Sequence, residues 1–206
     1  MKRDGKVARY KIQRRLGTEL PGLGKPGALE RRPYPPGENG NKRRKYSDFA
    51  LRLEEKQKIR LHYGLKEKQL RRFIRDSKRG KGTNWVAKLM GRLELRLDNV
   101  VFRLGFAPSM RSARQLVNHG HVTVNDKPVN IASMVLKQTD KVGLTDKALE
   151  NQIYLRALQA PRLPEVPDYL RKEGNGGIVQ SIPSTEHVPF TFDAGLFTEY
   201  YAARKA

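Results

Sequence analysis

Gly80-Lys81-Gly82-Thr83 carries the residue types of a loop that cradles phosphate: glycines for close backbone approach and a lysine for charge. Nucleotide hydrolysis on such a loop needs another glycine five positions earlier and an apolar strand leading in. Position 75 is Arg75 and no such strand precedes it, so the spacing argues against that chemistry. His119 and His121 bracket Gly120 and offer two imidazoles, but a metal site needs a third ligand, and none is spaced to join them. Glu54-Glu55 are adjacent and Glu94 and Asp98 are four apart. Each pair sits among Lys and Arg, where carboxylates balance charge rather than perform acid–base work. Cysteine is absent, which removes disulfides, thiolate zinc sites and thiol nucleophiles. No nucleophile, base and orienting group can be assembled. The expectation is a protein that is not an enzyme, with no cofactor, no metal and no small-molecule substrate.

The chemistry that remains is phosphate recognition by arginine. Between Ser109 and Asn118, Met110, Ala113, Leu116 and Val117 form an apolar strip. Arg111, Arg114, Gln115 and Asn118 fall at i, i+3, i+4 and i+7 on another face. One face packs and the other presents two guanidiniums and two amides. A guanidinium donates two parallel hydrogen bonds to phosphate, and a helix start at Ser109 adds backbone donors and a positive dipole end. His119, His121, Asn125 and Lys127 extend that surface.

Composition agrees. The 206 residues hold 42 Lys+Arg against 21 Asp+Glu, a formal net charge of +21, so the surface repels itself unless a polyanion neutralises it. Nucleic acid fits better than membrane, because each neutralised phosphate releases a counterion. No apolar run approaches the roughly 18 residues that span a bilayer, and Met1-Lys2-Arg3-Asp4 lacks the apolar stretch of a secretory signal. A cytoplasmic protein without membrane partners is expected.

The elements that must position these residues follow from period and punctuation. Residues 1–46 are rich in Lys, Arg, Gly and Pro and show no period, which reads as an extended basic arm. Ser47 caps a helix that turns Phe49, Leu53, Ile59 and Tyr63 inward and ends at Gly64. A second, densely basic helix follows, burying Leu65, Leu70, Phe73 and Ile74. Leu93, Leu97, Val100, Val101 and Leu104 keep helical spacing up to Gly105 and predict one helix over 93–104. After the helix opened by Ser109, the period becomes two: Val122 and Val124, a turn at Asn125-Asp126, then Val129 and Ile131, with another short strand at Lys141–Leu144. Pro161, Pro164 and Pro167 mark a loose connection, with one short strand near Ile178, Val179 and Ile182. Asp193 caps a last helix whose Leu196, Phe197, Tyr200 and Tyr201 pack on the helices after Ser47.

The run Arg96-Leu97-Asp98-Asn99-Val100-Val101-Phe102-Arg103-Leu104-Gly105-Phe106, with Ser112-Ala113-Arg114-Gln115-Leu116-Val117, Gly120-His121-Val122-Thr123-Val124-Asn125 and Pro128-Val129, resembles the RNA-binding module named after small-subunit ribosomal protein four. That module also occurs in pseudouridine synthases, tyrosyl-tRNA synthetases and ribosome-rescue proteins, so alone it implies only RNA binding. Tyr46-Ser47-Asp48-Phe49, Glu55-Lys56-Gln57-Lys58-Ile59-Arg60, Tyr63-Gly64-Leu65, Gln69, Asn130-Ile131-Ala132-Ser133 and the aromatic C-terminal helix resemble the ribosomal protein family itself. The resemblance implies an α+β fold: a mostly helical domain formed by N- and C-terminal parts, with an inserted module of two helices and short antiparallel strands. The expected boundaries are an arm at 1–46, a helical domain at 47–95 completed by 150–206, and the module at 96–149.

It further implies a primary binder of small-subunit rRNA, at a junction of the 5′ domain, that nucleates assembly. The family's edge meets ribosomal protein five and bears on decoding accuracy, and its basic loop, here Lys42-Arg43-Arg44-Lys45, lies near the path by which mRNA enters. Expected rRNA-binding residues include Arg14, Arg15, Lys56, Lys58, Arg71, Arg72 and Arg75 beside the module's set. Many members carry a cysteine-rich zinc knot in the arm, whose first two cysteines align with Tyr10 and Gln13. No metal is expected here, and the chain must pin its arm by other means.

Overall fold

The computed structural model describes residues 8–24, 27–42, 45–79, 84–160, 163 and 165–202, without the side chains of 9, 10 and 28. Gly80–Thr83, Pro161, Pro164, Arg43 and Arg44 lie outside the described residues. The chain forms two compact units: residues 1–72 with 189–206, and residues 73–188. The sequence places boundaries at 95/96 and 149/150. In the structure, 73–95 and 150–188 cluster with the module, because the latter stretch supplies two strands to its sheet.

The first unit opens with α1 (Arg9–Leu16) and α2 (Ala28–Arg31). The arm expected to be extended is therefore partly helical. Its Lys and Arg content hid an apolar set, Ile12, Leu16, Leu20 and Leu23, all buried. Arg14 fastens the arm: Nε donates to the carbonyls of Arg32 (3.2 Å) and Tyr34 (3.0 Å), and Nη2 to that of Pro35 (3.5 Å). Its guanidinium also lies 4.9 Å from the centroid of the Tyr34 ring. Gln13, at one of the knot positions, is buried and donates from Nε2 to the Leu20 carbonyl (3.1 Å). Gly24 makes this possible, since a Cβ there would stand 2.3 Å from Gln13 Oε1. Backbone carbonyls held by side chains thus do the pinning. Arg14→Ala strands three carbonyls and is expected to cost about 2–3 kcal/mol, with Arg14→Lys a poor rescue because ammonium lacks the fork. Amide exchange across residues 11–23 should accelerate markedly; unchanged protection would contradict this role.

Helix α3 (Asp48–His62) starts on Ser47, whose Oγ accepts from Ala50 N–H (3.3 Å), and is closed by Gly64 at φ +60°, a left-handed conformation that favours glycine. Ile59 and Tyr63 are buried as expected, but Phe49, on the first turn, is exposed, with its ring centroid 6.1 Å from that of Tyr200. Helix α4 (Glu67–Lys78) follows, and the division between units falls within it, after Arg72. The last helix of the chain, Ala194–Ala202, is capped by Asp193, whose Oδ1 accepts from Leu196 N–H (3.0 Å). It packs on α3, with Phe197, Tyr200 and Tyr201 buried and an Arg52–Glu199 pair at 2.7 Å. The aromatic stripe is core.

The second unit contains α5 (Trp85–Glu94), α6 (Leu97–Arg103) and α7 (Met110–Asn118), then β1 (Val122–Val124), β2 (Lys127–Val129), β3 (Lys141–Leu144), α8 (Asp146–Leu149), α9 (Gln152–Gln159), β4 (Leu170–Glu173) and β5 (Gly176–Val179), which makes the C-terminal helix α10. The single helix expected over 93–104 is broken at Leu95–Arg96. Arg96 is extended and bridges to Val135, while Leu97 N–H reaches the Met134 carbonyl (2.8 Å). Every residue of α6 is buried, so apolar spacing could not reveal a turn between two enclosed helices. The sheet is antiparallel in the order β2-β1-β3-β5-β4. Asn125 and Asp126 form the two-residue loop with φ +50° and +63°, the pattern of a tight hairpin turn. Ile131 and Ile182, read as strand residues, lie outside the strands and are exposed. Gly177 leaves β5 bare where Leu104 seats, since a Cβ there would meet its methyls at 2.5 Å. Val122, Val124, Val142 and Val179 line the buried side; each such residue contributes roughly 1.5–3 kcal/mol.

Candidate nucleic-acid interface

Helix α7 is built as its stripes dictate. Ser109 Oγ accepts from Ser112 N–H (3.2 Å), and Met110, Ala113, Leu116 and Val117 are buried. Gly120 at φ +73° turns the chain into β1. Arg111, Gln115, Asn118 and His119 are left exposed. Arg114, expected beside Arg111 as a phosphate contact, behaves differently: its Nε (3.1 Å) and Nη2 (2.8 Å) both donate to Asp98 Oδ2, and its side chain is 36% exposed.

Asp98 is a buried hub. Arg96 donates to it from Nε (3.0 Å) and Nη2 (2.7 Å), and Asn99 N–H from the α6 first turn (3.0 Å). Two guanidiniums therefore share one carboxylate, which fastens α7 to α6. The Arg96-Leu97-Asp98 sequence with an arginine on the next helix was the available signal for it. Glu94 is a second hub, fully buried. Its Oε2 accepts from Asn99 Nδ2 (2.9 Å), Arg103 Nε (3.0 Å) and the Tyr169 hydroxyl (2.8 Å), while Arg103 Nη2 donates to the His187 carbonyl (2.6 Å). Burial, and then the Glu94 charge, raise the Tyr169 hydroxyl pKa well above its ordinary value. The reading of both carboxylates as charge balance is correct, and their balance is internal to the second unit.

Other expected RNA-facing groups divide by environment. Asn125 holds the hairpin, with Nδ2 donating to Asp140 (2.9 Å) and Oδ1 accepting from Lys141 N–H (2.9 Å). His121 is half-buried, its Nε2 3.4 Å from Asn151 Nδ2, whereas Lys127 is exposed. His119 and His121 lie with ring centroids 6.2 Å apart, and no group of three or more metal-ligating side chains exists among the described residues. Arg15, Arg71, Arg72 and Arg75 are exposed. Arg14 and Lys56, expected on the same surface, are instead buried, Arg14 on the arm's carbonyls and Lys56 on Glu67 at 2.5 Å. Lys58 is largely buried and held by Glu55 at 2.6 Å. Lys42 and Lys45 are exposed. No helix among the described residues is long and apolar enough to cross a membrane.

Residues 6–94 match the model of the ribosomal protein S4/S9 N-terminal domain, and 95–142 that of the S4 domain. The chain is 59% identical over 208 residues to small ribosomal subunit protein uS4B of Bdellovibrio bacteriovorus, covering 99% of this chain and 100% of the relative. The chain belongs to the uS4 family. Small ribosomal subunit protein uS4 of Nostoc sp. is 47% identical over 196 residues (94% of this chain, 95% of the relative), and that of Methylobacillus flagellatus 44% over 200 residues (95% and 96%). As a uS4 protein the chain is a structural component of the small ribosomal subunit and not an enzyme, and its module is of the RNA-binding S4 type. uS4 proteins reside in the ribosome, which in bacteria is cytoplasmic.

Proposed function

We propose that this uS4 protein binds small-subunit rRNA directly, as a primary binder at a multi-helix junction of the 5′ domain that nucleates assembly. The observation that carries this reading is α7, whose apolar side is sealed while Arg111, Gln115, Asn118 and His119 face outward. Lys127 extends that face, and Arg15, Arg71, Arg72 and Arg75 are exposed cations elsewhere. Arg111 makes the phosphate contact, and Arg114 holds α7 in place through Asp98. Binding of the purified chain to a 5′-domain transcript, followed across salt concentration, tests this. Arg111→Ala is expected to weaken binding and lower the log–log salt slope by about one. An unchanged slope would assign Arg111 to packing, and a chain that ignores the transcript even in dilute buffer would sink the reading.

The finer partnerships belong to the same proposal. Tyr46, Phe49 and Leu51 are exposed at the start of α3, an apolar edge that suits a protein neighbour, here ribosomal protein five, with a bearing on decoding accuracy. Lys42, Arg43, Arg44 and Lys45 supply a basic loop for mRNA on its way in. A triple alanine variant of Lys42, Arg43 and Arg44 is expected to slow translation through mRNA stem-loops while sparing unstructured messages; equal passage through both would remove that role.

A further inference from the structure

The end of α4 and the outer side of α5 carry a basic surface that the α7 face does not account for. Arg75 and Lys78, at i and i+3 on α4, and Arg79 just past its end are exposed, Arg79 to 74% of its side chain. Trp85, partly buried, opens α5, and Lys88 follows one turn on. Two cations tie the helices here. Lys78 Nζ lies 5.0 Å from the centroid of the Trp85 ring, and Lys88 Nζ donates to the Arg79 carbonyl (2.8 Å), at the end of α4 where the helix dipole is negative. The acid on this part of α4 is Asp76, 3.9 Å from Arg79. Four cations against one carboxylate, set around a large aromatic ring, are the ingredients of a surface for a flexible phosphodiester chain. Phosphates replace the missing counter-charge, and an indole accepts any base on its face without reading its identity.

We propose that this surface is a second RNA-contacting site, which holds an unpaired segment with phosphates on Lys78, Arg79 and Lys88 and a base against Trp85. The inference rests on the rRNA-binding reading above and deepens it by adding a contact that is independent of α7.

Trp85 is the one tryptophan of the chain, so its fluorescence reports this site directly. The full chain is titrated with a 5′-domain rRNA transcript, and binding is followed at once by filter retention and by tryptophan emission, with polyglutamate at equal ionic strength as the acidic-polypeptide control. Emission should be quenched in step with retention, with little response to polyglutamate. Lys78→Ala with Lys88→Ala should lower the salt slope by about two, and Trp85→Phe should weaken binding about tenfold at unchanged slope. Far-UV circular dichroism checks that each variant folds. Normal retention with unaltered emission and an unaltered slope in the double variant would overturn this site while leaving α7 intact. An equal response to polyglutamate would overturn its assignment to RNA. Failure of retention itself would sink the reading on which both rest.

Discussion

Glu94→Ala is expected to destabilise the second unit by about 3–5 kcal/mol, because it leaves a guanidinium, an amide and a phenol facing one buried vacancy. Glu94 is fully buried, and three side chains converge on a single oxygen. Glu94→Gln keeps the shape but not the charge and should lose less. Urea unfolding read from Trp85, which lies in this unit, measures the effect; a loss below about 1 kcal/mol would show that Arg103 finds other partners. A pH dependence follows from the same hub. Tyr169 is held protonated by burial and by Glu94, so its folded-state pKa lies above the unfolded value near 10. Its contribution is present in full below that value and is lost as pH rises beyond it. Tyr169→Phe, lacking the titrating group, should flatten part of the alkaline decline; an identical decline would assign it elsewhere.

Asp98→Ala should have a comparable cost, about 3–5 kcal/mol, since it leaves Arg96 enclosed without its carboxylate. The same change releases Arg114 and frees α7 to shift against α6. Asp98→Asn is the sharper probe, because it preserves volume and some hydrogen bonds. At a temperature where Asp98→Asn remains folded, rRNA binding should still weaken about tenfold, worth about 1.4 kcal/mol, through misplacement of Arg111. If the variant binds as tightly as the parent once folded, Asp98 serves stability alone.

Much of this was legible because local chemistry and tertiary placement agree. Ser47, Ser109 and Asp193 cap where their side chains suit a cap, Gly64, Gly105 and Gly120 turn where positive φ is needed, and Met110, Ala113, Leu116 and Val117 face inward by spacing alone. What escaped depends on partners distant in sequence. Arg14 and Lys56 look like surface cations until Tyr34 and Glu67 arrive. Arg114 occupies the same helix face as Arg111, yet a carboxylate sixteen residues earlier decides its use. The break at Leu95–Arg96 is made by the 132–136 segment, and β4, an exposed strand of Arg, Lys and Glu after Leu170, has no alternation to announce it. The basic arm hides its helices for a related reason: its apolar positions are few, and they gain meaning only when Arg14 gathers the carbonyls of 32–35 around them.

The first unit is discontinuous, closed by α10 from beyond residue 188. Domains emerging during translation ordinarily fold in order from the amino end. Here that order is inverted: residues 73–188 leave the exit tunnel as one unbroken stretch, whereas the earlier-made unit is completed only by a helix synthesised after them. Phe197 and Tyr201 thus act as a delayed latch, and the part of α3 that α10 covers is sealed only when the last stretch of the first unit has been made.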